Sequence, residues 1–244
     1  NNIYYKDEDK RFDLKSFKAL GGAFAVYKIA SEKKNITVST ATAGNHGRSV
    51  AWGAQRLGLK CKIFISEFVS ESRAEAMRDL DAEVIRVKGN YDNSLKKCIE
   101  QSNKNNWEIV QDVSWEGYKE VPKLIMAGYT IMVKEIIDKI DNNSITHVFL
   151  QAGVGGMAAA MIAGFAKLSK SIPQFIIIEP ENADCVFQSI KNNEPTTVDI
   201  KKETVMGGMS CGDVSSIAWE ILKNSANYCL TISDEAISTA VALL

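Results

Sequence analysis

Residues 148–157 read VFLQAGVGGM, an apolar strand pattern that runs into glycines and then into a helical pattern. The same order occurs earlier, where TVSTATAG at 37–44 is followed by NHGRSVAWGAQRL at 45–57. A strand, a tight turn and a helix form the repeating unit of parallel sheets. These two stretches therefore favour an α/β fold.

The rest of the chain continues this alternation of short β-branched runs and helical patterns. The predicted strands cover residues 37–40, 61–65, 83–87, 108–110, 147–151, 175–179 and 228–232. The predicted helices cover residues 19–30, 46–57, 72–80, 91–102, 123–139, 157–168 and 217–223. A strand-like pattern at 3–5 opens the chain and a helical pattern at 234–244 closes it. We therefore expect the fold to be incomplete at both ends.

Composition and charge narrow the classes of function. The formal net charge is −1, which gives no general attraction for nucleic acid or anionic lipid. No apolar run reaches the roughly 20 residues of a membrane-spanning helix, so no membrane partner is expected. The five cysteines lie apart from one another, without CxxC spacing. This pattern predicts neither a metal site nor a disulfide framework, and it suits a cytoplasmic protein.

The segment SFKALGGA at 16–23 places a lysine at the start of a helical pattern. If Lys18 is buried there, the positive end of the helix dipole would destabilise its ammonium and lower its pKa. An amine with a lowered pKa is what Schiff-base chemistry requires. The alternative is an exposed lysine at a helix start, and this segment alone does not decide between them.

The segment ATAGNHGR at 41–48 is a glycine turn between a strand and a helix. Such a turn leaves backbone N–H groups unpaired, which favours binding of a carboxylate. Asn45 can donate and accept at once, which suits a phenolic or carbonyl oxygen of a ligand. A plain turn with Asn45 as the helix N-cap is the alternative. His46 is expected to pack or hydrogen-bond locally, and His147 to be structural.

The glycine run at 153–157 allows close approach of the backbone to a ligand, and the helix after it favours an anion such as phosphate. The Lys-Ser/Thr pair of a P-loop is missing. The run also fits G-x-G-x-x-A, and Glu179 ends the next strand roughly 20 residues later, as in a dinucleotide site. A dehydrogenase that binds NAD is therefore a rival interpretation, and close helix–strand packing is another.

Taken together, the lysine before paired glycines, the Gly-Asn-His-Gly turn and the later glycine run resemble the fold-type II pyridoxal-phosphate (PLP) enzymes. That family includes threonine and serine dehydratases, cysteine synthase and the tryptophan synthase β chain. Within it the chain is most similar to the diaminopropionate ammonia-lyases. The segments specific to that resemblance are QD at 111–112 with WEGY at 115–118, and SCG at 210–212 with AWE at 218–220.

The resemblance implies an α/β fold with two parallel-sheet αβα domains and the cofactor in the cleft between them. Residues 1–38 and 129–244 would form the large cofactor-binding domain, and residues 39–128 the small domain. Lys18 would hold PLP as a Schiff base, next to Phe17, and Asp112 would be an acidic residue of the active site. The residues implied to hold the cofactor phosphate are Gly153, Val154, Gly155, Gly156 and Met157. Those implied to cradle the substrate carboxylate are Thr42, Ala43, Gly44 and Asn45, with Asn45 also contacting the phenolic oxygen of the cofactor.

The implied reaction is α,β-elimination of 2,3-diaminopropionate, a small amino acid, to pyruvate and ammonia through aminoacrylate. The resemblance also implies a homodimer and suggests a disulfide between Cys185 and Cys211. The family usually has an aspartate, thought to act as base for one substrate enantiomer, where this chain has Ala43. The preference for D or L substrate therefore stays open, as do a serine/threonine dehydratase of the same fold and a non-catalytic relative. The residue that faces the pyridine nitrogen would lie beyond Leu244.

Overall fold

The computed structural model describes residues 2–141 and 144–243. The chain divides into two compact units. The first unit comprises Asp7–Asp112 and Glu120–Gly128. The second unit comprises Asn1–Lys6, Val113–Lys119 and Tyr129–Leu244. The predicted large and small domains, divided after residues 38 and 128, stay a prediction.

The first unit is built on a parallel four-stranded sheet of order β3-β2-β1-β4. Its strands are β1 Thr37–Ala41, β2 Lys60–Ser66, β3 Ala82–Val87 and β4 Glu108–Ile109. Its helices are α1 Lys18–Glu32, α2 Asn45–Arg56, α3 Glu71–Arg78, α4 Tyr91–Asn105 and most of α5 Glu120–Tyr129. β1 lies inside the sheet, and four of its five residues are buried. A strand inside a parallel sheet is covered on both faces, which explains its continuous β-branched sequence.

Glycines allow α1 and α2 to pack closely in the first unit. A Cβ atom on Gly22 would collide with the Ser49 side chain, and one on Gly53 would lie 2.8 Å from the Cα of Ala23. Larger residues at either glycine would push the two helices apart. Gly22, the second of the paired glycines that follow Lys18, therefore helps to fix where the start of α1 lies against α2.

The second unit contains a parallel three-stranded sheet of order β5-β6-β7. Its strands are β5 His147–Gln151, β6 Gln174–Pro180 and β7 Tyr228–Ile232. Its helices are α6 Ile131–Lys139, α7 Gly156–Leu168, α8 Cys185–Asn192, α9 Ser216–Ser225 and α10 Asp234–Leu243. The core combines the central strand with α7, where Phe165 and Phe175 have ring centres 5.8 Å apart. No helix of the described residues is long and apolar enough to span a membrane.

The predicted strands between residues 37 and 232 are confirmed, with ends shifted by two residues or fewer. The strand expected at 3–5 is wrong: these residues belong to no strand, and their exposed side chains have no neighbouring strand to pack on. The single helix expected at 123–139 is two helices, α5 and α6, separated at Thr130, a β-branched residue of low helix propensity. α8 was not predicted. The helix predicted at 234–244 is confirmed through residue 243, and Leu244 lies outside the described residues.

Candidate functional site

Lys18 and Asp112 form an ion pair in the first unit. Lys18 is the first residue of α1, and its Nζ lies 2.5 Å from Oδ2 of Asp112. The two side chains are only 24% and 14% exposed, so the pair is partly shielded from water. The Phe17 ring lies beside the pair, with its centre 5.8 Å from the Lys18 Nζ. Three residues predicted for one site thus meet at the start of one helix.

The Asp112 carboxyl is held in its ionised form. Burial by itself raises its pKa, but the charge that His46 carries when protonated in acid, the charge of Lys18 and the hydrogen bond from Lys18 outweigh burial and hold the pKa well below its usual range. Burial lowers the pKa of His46, so this imidazole is neutral at neutral pH. The Lys18 ammonium is therefore the cation that balances Asp112 under physiological conditions.

Gln111 fixes the backbone that precedes Asp112. Its side-chain Oε1 accepts hydrogen bonds from the Thr40 hydroxyl at 2.8 Å and from the Ala41 N–H at 3.0 Å. Its Nε2 donates to the Ala41 carbonyl at 2.9 Å and to the Tyr91 hydroxyl at 2.7 Å. The side-chain amide of Gln111 thus acts like a backbone peptide group beyond the end of β4, and it extends the hydrogen bonding between β4 and β1. This buried side chain connects the strand that leads to the 42–45 turn with the residue that pairs with Lys18.

The 42–45 turn joins β1 to α2. Thr42 is buried, and its hydroxyl accepts hydrogen bonds from the N–H groups of Gly44 and Gly47, at 3.0 and 3.2 Å. α2 begins at Asn45 after an N-cap at Gly44, so the alternative in which Asn45 is the N-cap is wrong. Ala43 and Asn45 are exposed, and the N-cap residue Gly44 has no side chain to cap the helix, so that Thr42 satisfies the N–H of Gly47 but not every N–H of the first turn. Free N–H groups at such a helix start suit an anionic group of a ligand.

Arg73 of α3 brings a positive charge to the same turn. Its guanidinium donates to the carbonyl of Ala43 at 3.3 Å, and its side chain is exposed. The contact between Arg73 and Ala43 could not be predicted from the sequence, because Arg73 lies in a charged helical pattern that is typical of a surface helix. The contact places a cation beside the turn at the residue where the family usually has an aspartate.

The glycine loop at 153–157 lies in the second unit, between β5 and α7. Gly155 has φ +85°, a left-handed conformation that favours glycine, and a Cβ there would come 2.7 Å from Leu222. The loop is tied down by the Ser215 N–H, which donates to the carbonyl of Val154 at 2.9 Å. Gly155 is the N-cap of α7, and no side chain of the described residues caps this helix. Its first N–H groups lack partners within the helix, as in an anion site.

Serines organise the backbone near this loop, and sequence reasoning missed them. Ser114 and Ser215 are buried, with their hydroxyl oxygens 2.7 Å apart. The hydroxyl of Ser114 also accepts from the N–H of Ile217, in the first turn of α9. Serine is common in loops and caps, so nothing in the sequence distinguishes these two from surface serines.

Glu179 is a buried carboxylate of the second unit that binds the start of α8. Its oxygens accept hydrogen bonds from the N–H groups of Val186, at 3.0 Å, and Phe187, at 2.6 Å, in the first turn of α8. Burial raises its pKa to about 7. A carboxylate that is fully buried and bound to a helix N-terminus cannot also hold the ribose of a dinucleotide. The geometry therefore removes the residue on which the NAD interpretation depended.

The two cysteines expected to pair both lie at Gly153. The Cys185 thiol donates to the Gly153 carbonyl at 3.5 Å, and a Cβ on Gly153 would come 3.0 Å from Sγ of Cys211. Burial raises the pKa of the Cys185 thiol, which keeps it protonated and able to donate. Both cysteines are free thiols here, so the disulfide is not formed in this structure.

The predicted site residues thus fall into two groups, one in each unit. Lys18, Phe17, Asp112 and the 42–45 turn lie in the first unit. The glycine loop, Cys185 and Cys211 lie in the second. Among the described residues, no group of histidine, cysteine and acidic side chains could hold a metal ion.

Comparison with known proteins gives the family of the chain. Residues 1–244 match the family model for "Pyridoxal-phosphate dependent enzyme". The chain belongs to this family. A diaminopropionate ammonia-lyase of Escherichia coli (strain K12) is 35% identical over 263 residues, which cover 99% of this chain and 66% of that protein. An L-threonine dehydratase of Haemophilus influenzae is 31% identical over 199 residues, 80% of this chain and 36% of that protein.

Solved structures agree with this family. The Escherichia coli diaminopropionate ammonia lyase in complex with an aminoacrylate-PLP azomethine reaction intermediate superposes with a TM-score of 0.86 at 36% identity. The match covers 94% of this chain and 62% of that one, so the chain spans somewhat less than two thirds of these relatives. The predicted resemblance and the fold-type II class are confirmed.

The residues of this chain fit the cofactor that the family name specifies. The glycine loop offers uncapped N–H groups and leaves no room for a side chain at Gly155, as a close-fitting phosphate site requires. In the first unit, Lys18 is a partly buried amine with a carboxylate at 2.5 Å. PLP carries an aldehyde that reacts with an amine and a phosphate that binds at a helix N-terminus. The chain therefore offers an amine and an anion-binding loop at the sequence positions that the resemblance implied for these two groups.

Proposed function

We propose that this protein is a PLP-dependent lyase that converts 2,3-diaminopropionate to pyruvate and ammonia by α,β-elimination. The observation that carries the proposal is the contact between Lys18 and Asp112 at the start of α1. The identity to diaminopropionate ammonia-lyases over almost the whole chain supports the choice of substrate.

The candidate site residues of the first unit have different roles in this proposal. Lys18 would hold the cofactor, and its free amine would take the proton from Cα of the substrate. Asp112 orients that amine and attracts the β-ammonium group of the substrate. The 42–45 turn binds the substrate carboxylate with its free N–H groups, and Asn45 contacts the phenolic oxygen of the cofactor. When bound, the cofactor supplies an electron sink for the charge that develops at Cα.

The candidate site residues of the second unit bind the cofactor and take no part in the reaction. The loop from Gly153 to Met157 holds the phosphate of the cofactor with the N–H groups at the start of α7. Ser215 keeps this loop in place through the Val154 carbonyl. Cys185 and Cys211 both lie at Gly153, and a disulfide between them would stiffen the loop.

A serine/threonine dehydratase is the second candidate, and Ala43 favours it. The aspartate usual in the ammonia-lyase family is missing at this turn, and the Arg73 guanidinium lies there instead. A site without that carboxylate has one base fewer and attracts the β-ammonium group of diaminopropionate less strongly. Binding of the uncharged β-hydroxyl group of serine or threonine does not depend on that charge.

Product assays separate the two activities. The protein, loaded with PLP, is given D- and L-2,3-diaminopropionate, serine or threonine, and pyruvate, 2-oxobutyrate and ammonia are measured. The proposal expects pyruvate from diaminopropionate at a higher kcat/KM than from serine, and loss of activity in Lys18→Arg. Lys15→Arg, at an exposed position three residues earlier, is the matched control. Faster turnover of serine or threonine would make the dehydratase the correct assignment.

Three further features belong to the same proposal. The protein works as a homodimer, as the family resemblance suggests, and in the cytoplasm, which suits cysteines that lie apart without CxxC spacing. The functional domains are residues 1–38 with 129–244 and residues 39–128. Size-exclusion chromatography with light scattering tests the dimer, because a monomer with full activity would exclude it.

A further inference from the structure

His46 has a fixed protonation at one ring nitrogen. Its Nε2 lies 2.8 Å from the carbonyl oxygen of Val110, and the side chain is only 5% exposed. A carbonyl can only accept, so Nε2 carries a hydrogen and donates it. In the neutral imidazole the other nitrogen, Nδ1, is therefore a bare acceptor.

This Nδ1 has no hydrogen-bond partner among the described residues, although it is buried. It faces Oδ2 of Asp112 at 3.6 Å, the same oxygen that lies 2.5 Å from Nζ of Lys18. A bare nitrogen and a carboxylate are both acceptors, so they cannot bond to each other in this state. One proton on Nδ1 would convert the gap into a charge-assisted hydrogen bond, which typically measures about 2.7–2.9 Å.

The charge on Lys18 determines whether that proton is present. In the described part of the chain, the charged groups that act on the imidazole are Asp112, which follows β4, and Lys18 at the start of α1. Burial lowers the pKa of His46, Asp112 raises it and Lys18 lowers it. If the ammonium of Lys18 loses its charge, one of the two effects that disfavour imidazolium disappears, while the carboxylate remains.

We propose that His46 is a positioning residue that accepts a proton on Nδ1 when the ammonium of Lys18 gives one up, so that Asp112 keeps a cationic partner throughout. The proton passes through the Asp112 carboxylate: an N–H bond of Lys18 breaks, its electron pair stays on Nζ, and an N–H bond forms at Nδ1. No other reactant is consumed. The link to catalysis rests on the proposed function, because it needs Lys18 as the reacting amine.

The proton transfer explains how an amine next to a carboxylate becomes reactive. Asp112 alone stabilises the ammonium, which has no free electron pair and cannot attack an aldehyde. With His46 as acceptor, the amine is released while the carboxylate stays charged and can still orient it. The predicted local role of His46 accounts for Nε2 but leaves Nδ1 unexplained.

NMR titration of ¹⁵N-labelled histidine tests the proton transfer without any enzyme assay. The chain has two histidines, and the exposed His147 serves as the internal reference, assigned with His147→Gln. In the Lys18→Met and Lys18→Gln variants, the pKa of His46 should rise by about one unit or more above its value in the unmodified protein. Adding Asp112→Asn should reverse the rise, and the resonances of His147 should be the same in every variant.

Two results would overturn the proposal. One is an unchanged His46 pKa in both lysine variants. The other is a ¹⁵N spectrum of the unmodified protein in which the neutral ring carries its hydrogen on Nδ1. Because neither readout involves substrate, inactivity on diaminopropionate would refute the proposed function and leave this inference standing.

A kinetic experiment tests the consequence for catalysis. His46→Gln keeps an amide donor for the Val110 carbonyl but cannot accept a proton, and His147→Gln is its matched control. In the PLP-loaded protein, His46→Gln should lower kcat by about tenfold or more, with little change in KM and with loss of one limb of the pH profile. Unchanged kcat and pH profile would contradict the proposal. If His46→Gln does not fold, the NMR titration decides.

Discussion

Gln111 offers the sharpest test of how the reactive lysine is positioned, through the variant Gln111→Leu. Leucine has a similar volume but no polar atoms, so the substitution removes hydrogen bonds without opening a large cavity. Three groups would lose their partner while buried: the Thr40 hydroxyl and the N–H and C=O of Ala41. Thr40 and Ala41 are at most 1% exposed, so water cannot replace the lost amide.

The expected loss follows from these three groups. Each buried group left without a partner costs about 1–3 kcal/mol, which gives roughly 3–9 kcal/mol in the free energy of unfolding for the three groups. The lower end is expected, because the Thr40 hydroxyl can rotate and the leucine gains some apolar burial. The Tyr91 hydroxyl adds little, since its side chain reaches solvent.

Urea denaturation followed by tryptophan fluorescence measures this difference, with the exposed Gln174→Leu as control. The control should change the free energy of unfolding by no more than about 0.5 kcal/mol. Gln111→Leu should also weaken the attachment of the cofactor, because Asp112 is the next residue in the chain. A loss below about 1 kcal/mol, equal to that of the control within error, would refute the proposed role of the buried amide.

Two further predictions concern the second unit. Burial raises the pKa of Glu179 from an ordinary 4.5 to about 7, so the stability it contributes is complete below pH 4.5 and is lost as the pH rises through 7. Between pH 4.5 and 8, the unfolding free energy of the unmodified protein should therefore fall by on the order of 3 kcal/mol relative to that of Glu179→Gln. Urea titrations in which the difference between the two proteins does not change with pH would rule this out. Gly155→Ala should weaken PLP binding, measured by absorbance titration, more than Gly58→Ala, because both glycines have positive φ but only Gly155 would place its Cβ against another side chain. Equal affinity in the two variants would mean that the loop does not hold the phosphate.

Much of this site could be read from the sequence, because glycines and strand patterns mark local geometry. The turn before α2 and the loop before α7 each follow a parallel strand, and free N–H groups at that place follow from the backbone alone. Lys18 could be predicted as the Schiff-base lysine only in combination with these two turns, since a lysine at a helix start is usually exposed. The resemblance placed Asp112 in the same site, but its contact with Lys18 was not predicted, as 94 residues separate the two in sequence.

The parts that could not be predicted depend on side chains meeting across the fold. Gln111 looks like any polar residue after a short strand, and its role appears only when its amide lies against the backbone of β1. His46 gave a correct local expectation, but the bare nitrogen beside Asp112 depends on which ring nitrogen meets the Val110 carbonyl. α8 was missed because its first turn is stabilised by Glu179, a residue outside the helix whose spacing suggested a different function.

The attachment of the cofactor to Lys18 is the central claim, and chemical trapping tests it most directly. The PLP-loaded protein is reduced with borohydride, digested and mapped by mass spectrometry, with Lys18→Ala and Lys15→Arg treated in parallel. We expect a phosphopyridoxyl group on the peptide that carries Lys18 in the unmodified protein and in Lys15→Arg, and none at any site in Lys18→Ala. A stable, stoichiometric label on another lysine, or a reducible chromophore that persists in Lys18→Ala, would contradict it.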